Sequence, residues 1–323
     1  MSWPEGIAAR PLTVDDVEAW ADLLAAKEKV DQEGENFDAG DLAEEVQRPS
    51  LDLTRDSVSL WADGRMIGYG IAHARESVVD DDRVRTEGTV HPEWRRRGLG
   101  TQLMRWLIDR AGELHTATHP EVPGYAAAGA VSTNAGATAL MKSLGFEEVR
   151  YFFDMRRPLD EPIPDVQPAD GFRLEAFDPS HTDELREAHY EAFSDHWGWT
   201  PPSVETWRLR TVESRAFRGA QSYVVLDGET VAAYVNCFEY PADTEVTGIR
   251  ELYVGQVGTR RAYRGRGLAR AALAKVLAEG AQAGYQRAAL GVDADNPTGA
   301  LGLYENLGFT TNQKFVNYQL PLA

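Results

Sequence analysis

Two short runs of arginine and glycine have the residue types and spacing to bind an anion. Residues 260–269 read RRAYRGRGLA and residues 91–100 read HPEWRRRGLG, in a chain with a formal net charge of −18. A glycine-rich turn between a strand and a helix directs backbone N–H groups at one spot, where the helix N-terminus adds positive charge. Arginine side chains add charge-assisted hydrogen bonds to phosphate oxygens. Both runs therefore predict a cradle for an anionic cofactor; the alternative is an arginine-rich helix start in solvent.

The spacing inside the two turns excludes two common nucleotide-binding motifs. The turns read Arg-x-x-Gly-x-Gly at 95–100 and Arg-x-x-Gly-x-Ala at 264–269. Neither is followed by the Gly-Lys-Ser/Thr of a P-loop, and neither is a Gly-x-Gly-x-x-Gly dinucleotide fingerprint. The predicted cofactor therefore belongs to another class.

A strand and a helix must hold each turn, and the pattern around the second turn provides both. Residues 250–259 predict a strand, and the alanine- and leucine-rich run 267–284 predicts a helix. A hairpin with Asp-Gly at its tip precedes them at 222–240. The remaining predicted strands and helices of this half are at 172–177, 181–193, 203–212, 287–293, 297–308 and 309–320. This order predicts an α/β fold with a mixed sheet.

The first half of the chain repeats the same plan. The motif SLGFEEV at 143–149 recurs as NLGFTTN at 306–312, and WADGRMIGYG at 61–70 recurs as VLDGETVAAY at 225–234. Together with the turns, these markers recur at offsets of 169, 163 and 164 residues. A proline-rich stretch separates the copies. We predict domains at 1–157 and 171–323, joined by a linker at 158–170.

The paired motifs resemble those of the GNAT superfamily of N-acetyltransferases. Each turn is similar to that family's acyl-CoA pyrophosphate motif, and DNPTGALGLYENLGF at 295–309 is similar to its N-x-x-A-x-x-L-Y-x-x-x-G-F signature. The resemblance implies two tandem GNAT-like domains, each a mixed twisted sheet flanked by helices, with acetyl-CoA as cofactor. The tandem arrangement, with MRRPL closing the first copy, is most similar to that of mycothiol synthases; no substrate is carried over from it.

The resemblance also implies which residues contact the cofactor. In the second copy these are Val257, Gly258, Thr259, Arg264, Gly265, Arg266, Gly267, Leu268, Ala269 and Asn296. In the first copy they are Thr89, Val90, Arg95, Arg96, Arg97, Gly98, Leu99 and Gly100.

Acetyl transfer to an amine needs a donor at the carbonyl oxygen, an acid for the leaving thiolate and a base for the amine. The resemblance implies Tyr304 as the acid and the backbone N–H of Val257 as the carbonyl donor. A phenol can donate a hydrogen bond to a thiolate; the alternative for Tyr304 is a core tyrosine on an apolar helix face.

The general base departs from the family pattern. The family often places a glutamate eleven residues before the motif arginine, and Tyr253 holds that position here. Glu251 lies on the same strand face because side chains alternate along a strand. We predict Glu251 as the base, acting through a water; Glu239 is a rival, and both can instead be surface carboxylates.

The first copy lacks the tyrosine, since Met141 occupies its position and a thioether cannot donate a proton. We predict that the first domain is non-catalytic and retains its cofactor cradle; the alternative is a purely structural half.

The acceptor region of the second copy is rich in aromatic and acidic residues. The resemblance places the acceptor beside the first two helices, near residues 189–202. Within this stretch, Glu191, Asp195, His196, Trp197 and Trp199 can form a pocket for a cationic amine or an aromatic turn packed on the core. His115 and His119 have a helical metal spacing, but their segment is a poor helix, so no metal is predicted.

The bulk composition limits the partners. The sequence pI near 4.8 disfavours nucleic-acid binding and favours a cationic partner, unless the acidity serves only solubility. No apolar window is long enough to span a membrane, and the start of the chain is unlike a secretory signal. One cysteine, Cys237, fits a reducing cytoplasm.

These features predict an acetyl-CoA-dependent N-acetyltransferase that moves an acyl group, most simply acetyl, to a primary amine of a small molecule. The alternatives are a protein or peptide N-acetyltransferase and a non-catalytic acyl-CoA sensor. The sequence leaves the amine, the acyl chain length and the oligomeric state open.

Overall fold

The computed structural model describes residues 3–296 and 299–322. The chain divides into two compact units. Unit 1 consists of residues 1–150 with 315–323, and unit 2 consists of residues 151–314.

Residues 3–158, which include most of unit 1, form six strands and five α-helices. In chain order they are β1 (Ala8–Arg10), α1 (Val17–Asp31), α2 (Ala39–Val46), α3 (Leu53–Asp56), β2 (Ser57–Ala62), β3 (Arg65–His73), β4 (Asp82–Val90), α4 (Leu99–Thr118), β5 (Gly124–Val131), α5 (Ala135–Ser143) and β6 (Glu147–Pro158).

The same order recurs in unit 2, except that two helices instead of three follow the first strand and a short helix precedes the fourth. The elements are β7 (Arg173–Ala176), α6 (Thr182–Phe193), α7 (Val204–Arg210), β8 (Tyr223–Asp227), β9 (Thr230–Phe238), α8 (Pro241–Thr247), β10 (Glu251–Thr259), α9 (Leu268–Gln282), β11 (Arg287–Asp293), α10 (Ala300–Glu305) and β12 (Thr310–Pro321).

Each unit builds a mixed sheet with the same order of pairing. In unit 1, β1 to β4 pair antiparallel in succession, and β4 pairs parallel with β5. In unit 2, β7 to β10 pair antiparallel in succession, and β10 pairs parallel with β11. Helices flank these sheets, which confirms the predicted tandem α/β fold.

The strand that completes each sheet comes from the other half of the sequence. Residues 315–321 of β12 pair antiparallel with β5 in unit 1, and residues 152–158 of β6 pair antiparallel with β11 in unit 2. The predicted boundaries remain a prediction, and the compact units differ from them by this exchange. Sequence periodicity does not reveal the exchange, because β6 and β12 have similar residue patterns and either strand could pair with β5 or with β11.

In unit 2 a gap opens beside β10. Parallel pairing with β11 covers only residues 251–253 with 287–289. On its other side, β10 carries a bulge against β9 between Val254 and Gln256. A bulge bends a strand and redirects its backbone groups. The segment 257–259 after the bulge therefore lines an opening.

Two apolar layers hold the sheet of unit 2. On one face, α9 packs Ala272, Leu273 and Val276 against Leu252 and Val254 of β10 in one buried cluster. On the other face, α6 and α7 pack with β8 and β9 in a second cluster. Burial of these side chains stabilises the unit by about 1.5–3 kcal/mol for each large residue. This packing fixes the start of α9 against the end of β10.

Most elements predicted for the second half are present within two residues of their predicted ends. The last helix is an exception, since it is described only from Ala300 to Glu305 and its predicted start at Pro297 lies outside the described residues. Gly308 follows it with φ +87°, as a C-terminal glycine should. Across the described part of the chain, we find no helix with the length and apolarity of a membrane span.

Candidate active site

A cavity of about 610 Å³ lies in unit 2 at the opening beside β10. It is lined by the end of β10, the turn into α9, the loop after α6, the end of β11 and the first part of α10. Nearly all the cofactor residues predicted for the second copy line it: Val257, Gly258, Thr259, Arg264, Gly265, Gly267, Leu268, Ala269 and Asn296. Arg266 lies outside this lining, over the rings of Tyr263 and Phe172.

The turn between β10 and α9 has the backbone geometry of an anion cradle. Gly265 and Gly267 have φ values of +76° and +73°, a region that side chains disfavour. Gly267 is the residue before the first turn of α9, which spans 15 residues. The free N–H groups of that first turn open toward the cavity, where they can hold phosphate oxygens.

The arginine side chains of the turn are engaged by carboxylates of α6 and the loop after it. Arg260 bonds Glu184 at 2.7 Å and Glu191 at 2.8 Å. Asp195 accepts from Arg264 at 2.9 Å and contacts Arg261. These two guanidinium groups lower the pKa of Asp195. Beside these ion pairs, the backbone N–H groups of the turn and of the first turn of α9 are available to bind an anion.

Arg264 also braces the turn. Its Nε donates to the carbonyl oxygen of Thr259 at 3.3 Å, across the turn. The first copy repeats this arrangement, with Arg95 Nε donating to Val90 O at 3.1 Å and its guanidinium bonding Asp31 at 2.6 and 2.7 Å. The motif arginine therefore holds the shape of the turn in both units.

The backbone of the turn in unit 1 has nearly the same conformation as that in unit 2, with an arginine in place of one glycine. Arg96 has φ +63° where the second copy has Gly265. Gly98, with φ +84°, precedes α4, and Leu99 is buried beneath the turn. Arg97 lies over the ring of Trp94 and donates to Glu93 O. Thr89 and Val90 end β4, and Gly100 is the second residue of α4. A left-handed arginine costs about 1 kcal/mol, so this turn is more strained than its counterpart.

Tyr304 projects from α10 into the cavity lining and is 7% exposed. Burial raises the pKa of its phenol to about 12. The hydroxyl therefore keeps its proton throughout the neutral range and can act as a hydrogen-bond donor. In unit 1, the buried Met141 occupies the corresponding helix position.

Gly258 is required where it stands, because Tyr234 lies directly beneath it. A Cβ on Gly258 would come within 2.4 Å of the Tyr234 ring. The Tyr234 hydroxyl in turn lies 2.7 Å from His189 Nδ1. Burial lowers the pKa of His189 to about 3, so the neutral imidazole shares this hydrogen bond with the Tyr234 hydroxyl. The sequence did not predict that Tyr234 and His189 lie beneath Gly258. A glycine inside a strand does indicate that another group packs closely against the backbone there.

Glu239 is fixed in a structural network. Burial opposes its ionisation, but hydrogen bonds from Arg250, Arg218 and Tyr285 outweigh burial and lower the pKa of Glu239 to about 2. A carboxylate this acidic is a poor proton acceptor near neutral pH.

Glu251 lies at the start of β10, on the face shared with Tyr253. Its carboxylate contacts Arg287 Nε on β11 and lies 3.9 Å from Arg156 Nε on β6. Its side chain is 12% exposed. Glu251 is not part of the cavity lining, whereas Gly255 and Gly291 are. The space above these glycines is taken by the rings of Phe238 and Tyr253, since a Cβ would come within 2.6 Å of Phe238 at Gly255 and 3.4 Å of the Tyr253 hydroxyl at Gly291.

The predicted acceptor residues divide into two groups. Asp195, His196 and Trp197 line the cavity. Trp199 instead packs against His189 and Tyr190, while Glu191 accepts hydrogen bonds from Arg260 and from the backbone of Arg261. Burial lowers the pKa of His196, and its ring stacks on Phe193 at 4.3 Å.

The histidines of unit 1 serve internal contacts. His115 Nδ1 lies 3.0 Å from Asp82 Oδ2, and His119 Nε2 lies 3.0 Å from Arg75 O. Glu45, His73 and Glu87 lie close enough together to share a cation. The guanidinium of Arg85 already lies 3.7 Å from Glu45 and 3.2 Å from Glu87, so this group is an ion-pair cluster.

Comparison with known proteins decides the family. Residues 18–146 and 182–309 match the model of the acetyltransferase (GNAT) family. The chain belongs to this family. It is an acyl-CoA-dependent N-acetyltransferase with acetyl-CoA as its cofactor, and the left-handed turn, the helix N-terminus and the cavity of unit 2 fit that cofactor.

Two mycothiol acetyltransferases are similar to most of this chain. The mycothiol acetyltransferase of Salinispora arenicola is 33% identical over 267 residues, which cover 80% of this chain and 79% of the relative. The mycothiol acetyltransferase of Thermobispora bispora is 32% identical over 231 residues, which cover 69% and 72% of the two chains.

Solved structures agree with the fold. A GCN5-related N-acetyltransferase from Sphaerobacter thermophilus superposes with a TM-score of 0.76 at 27% identity and covers 99% of this chain and 97% of its own. A tandem GNAT protein from the clavulanic acid biosynthesis pathway gives a TM-score of 0.72 at 16% identity over 98% of each chain, a likeness of fold. The predicted tandem GNAT organisation is confirmed.

Proposed function

We propose that unit 2 transfers an acetyl group from acetyl-CoA to a primary amine of a small molecule, and that unit 1 is non-catalytic. The observation that carries this proposal is the single cavity lining shared by the cradle turn, the strand end 257–259 and Tyr304. The mycothiol acetyltransferase relatives support a small-molecule acceptor. A cytoplasmic location remains a prediction; the buried, unpaired Cys237 is in keeping with it.

Acetyl-CoA supplies an acetyl thioester, and the residues of unit 2 have distinct roles toward it. The turn amides at 265–269 hold the pyrophosphate, with Arg264 keeping the turn in shape. The backbone N–H of Val257, on the part of β10 that β11 does not pair, would donate to the carbonyl oxygen. Tyr304 donates a hydrogen bond where negative charge develops on sulfur. Because its pKa is about 12, Tyr304 retains its proton and stabilises that charge.

Glu251 is the proposed base for the acceptor amine. The residue of β10 nearest to Glu251 in the cavity lining is Val254, three residues or about 10 Å along the strand. A proton from the acceptor amine therefore reaches the Glu251 carboxylate only through intervening water. The low pKa of Glu239, about 2, makes it a weaker candidate for the general base than Glu251.

The test is a transfer assay with purified full-length chain and acetyl-CoA. Acceptors of different chemistry are supplied in turn: glucosamine, ethanolamine, alanine, putrescine, the acceptor of the mycothiol acetyltransferases, and an unmodified peptide. Thiol release that requires a small amine supports the proposal. Release only with the peptide would establish the protein acetyltransferase instead, and acetyl-CoA binding without transfer to any acceptor would establish the sensor.

A further inference from the structure

We propose that Arg270, in the first turn of α9, binds the 3′-phosphate of acetyl-CoA and forms a second anion subsite beside the cradle. The inference rests on the proposed function in one respect, namely that the cofactor occupies the cavity of unit 2. The sequence assigned no role to Arg270, because this residue follows the Arg-x-x-Gly-x-Ala motif at 264–269.

The position of Arg270 directs its side chain toward the cradle. It is the third residue of α9 and lines the cavity. Its backbone thus belongs to the same first turn whose free N–H groups can hold phosphate oxygens. The Cα–Cβ bond of a helical residue tilts toward the helix N-terminus, so the side chain starts back toward the turn at 264–267. The residue is exposed, and a ligand in the cavity can reach its guanidinium.

Arg270 differs from the arginines of the turn in its partners. Arg260, Arg261 and Arg264 each contact a carboxylate of α6 or of the loop after it. Arg266 lies over aromatic rings and donates to Ala262 O. Within residues 3–296 and 299–322, no hydrogen bond or ion pair engages the guanidinium of Arg270.

The cavity lining therefore offers one unpaired guanidinium to an anion. Among the described residues, its arginines are Arg264 and Arg270, and Asp195 already bonds Arg264 at 2.9 Å. The whole chain has a formal net charge of −18, which disfavours the approach of an anionic cofactor. A cation without a carboxylate partner at the cavity offsets this repulsion locally.

The chemistry of the cofactor supplies a matching group. Acetyl-CoA carries its pyrophosphate and a separate phosphate on the 5′ and 3′ positions of one ribose. When the turn amides hold the pyrophosphate, the 3′-phosphate lies a ribose away from them. A guanidinium binds such a phosphate through charge-assisted hydrogen bonds, which are often bidentate. Arg270 is placed to make these bonds beside the pyrophosphate.

The turn of unit 1 lacks this cation. The offset of 169 residues between Arg95 and Arg264 also relates Thr101 to Arg270. Thr101 is the third residue of α4, as Arg270 is of α9. A threonine hydroxyl is neutral, so unit 1 has the backbone turn without the second anion subsite. The subsite is thus a property of the unit to which transfer is assigned.

The chain offers a matched control on α4. Arg105 is exposed like Arg270, and in the described part of the chain it likewise has no hydrogen bond or ion pair. It does not belong to the cavity lining of unit 2. Arg105→Gln therefore removes one unpaired helical arginine and the same amount of charge without touching the proposed subsite.

The experiment is calorimetric titration of the full-length chain with acetyl-CoA and with 3′-dephospho-acetyl-CoA. Arg270→Gln should weaken acetyl-CoA binding about fivefold, as expected for loss of an exposed ion pair, and should change the affinity for the dephospho ligand less than about twofold. Arg270→Lys should keep most of the preference for acetyl-CoA, because the charge remains. Arg105→Gln should alter neither affinity.

Three results would overturn the inference. Equal weakening of both ligands in Arg270→Gln would indicate a contact with the pyrophosphate or a general effect of charge, and unchanged binding of both would show that Arg270 contacts neither. A selective loss in Arg105→Gln would have the same consequence. A selective loss in Arg266→Gln, without one in Arg270→Gln, would assign the 3′-phosphate to Arg266 instead.

A failure of the proposed function gives a different result. Ala269→Glu places a carboxylate in the same helical turn and should abolish binding of both ligands at this cavity. Undiminished binding of both ligands by Ala269→Glu would mean that the cofactor lies elsewhere in the chain. Loss of binding in Ala269→Glu with no selective effect in Arg270→Gln would keep the cradle and reject only the subsite.

Discussion

Tyr304 and Tyr285 show how the surroundings of a side chain decide its role. Both phenols have pKa values raised to about 12, mainly by burial. Tyr285 donates its hydrogen bond to Glu239 at 2.8 Å, inside a structural network. Tyr304 lines the cavity beside the strand end 257–259. The same chemistry is thus structural at one position and available for a substrate at the other.

Replacement of Tyr304 by phenylalanine should slow transfer and spare cofactor binding. Loss of a hydrogen bond to a charged group costs about 1.5–3 kcal/mol, so kcat should fall by roughly 10–100-fold. The dissociation constant of acetyl-CoA should stay within about twofold, because the remaining cradle is intact. Steady-state kinetics and calorimetry measure the two quantities.

Tyr285→Phe is the control for this substitution. It removes the same hydroxyl from an equally perturbed tyrosine, and it should lower thermal stability without a comparable loss of kcat. Full turnover in Tyr304→Phe would show that the phenol takes no part in the reaction.

The arginines of the turn are the clearest feature of the sequence, and they were expected to contact phosphate oxygens. In the structure, Arg260 and Arg264 bond carboxylates of the chain itself. The sequence could predict the turn, because arginine and glycine spacing is local. It could not predict that Glu184, Glu191 and Asp195 would take up three guanidinium groups, since those pairings span some seventy residues.

Arg264→Gln should destabilise the cofactor-free protein. The side chain bonds Thr259 O and Asp195, and loss of contacts of this kind costs about 1–3 kcal/mol. Thermal unfolding without acetyl-CoA should therefore begin at a lower temperature, by several degrees. Arg266→Gln, whose side chain lies over aromatic rings, should cause a smaller change. An unaltered melting temperature for Arg264→Gln would identify that arginine as a phosphate ligand alone.

Strand β10 is the element that organises the site. Its register places Glu251 against β11, its bulge shifts the pairing with β9, and its end, which β11 does not pair, leads into the turn. The sequence predicted the strand and its ends, because hydrophobic alternation and the following glycines are local signals. It could not predict the bulge, which depends on how Gly255 meets Phe238 of β9, where a Cβ would come within 2.6 Å.

Helix α10 depends on a buried cation from β6. Arg157 is 2% exposed and donates to the carbonyl oxygens of Leu307, Pro158 and Pro162. It thereby satisfies a carbonyl just after the end of the helix that carries Tyr304. The sequence motif MRRPL contained this residue but gave no sign of its contact with α10, because Leu307 lies 150 residues away.

At the scale of the whole chain, the two halves of the sequence are linked by the exchange of their closing strands. Unit 1 is completed by residues 315–321, and unit 2 by residues 152–158. The duplication was visible in the sequence as repeated markers. The exchange was not visible, because β6 and β12 have similar hydrophobic patterns. The pattern alone does not indicate whether each strand pairs within its own half of the sequence or with the other half.

Val316→Asp should disturb unit 1, although it lies near the end of the chain. Val316 is 4% exposed and pairs with Ala130 of β5. Burial of an unpaired carboxylate there costs several kcal/mol. Amide hydrogen exchange should rise in β5, with less effect on β10 and β11. The exposed Thr310→Asp, in the part of β12 that belongs to unit 2, is the control. Faster exchange confined to unit 2 would contradict the observed pairing.

The proposed function depends on acetyl-CoA binding at the cradle of unit 2. The most direct measurement is calorimetric titration of acetyl-CoA into matched variants of the two turns. Ala269→Glu and Gly100→Glu place a carboxylate at equivalent positions in the first turns of α9 and α4. We predict that Ala269→Glu loses the site needed for transfer, whereas Gly100→Glu still binds acetyl-CoA and retains transfer. Wild-type binding and transfer by Ala269→Glu would contradict the account.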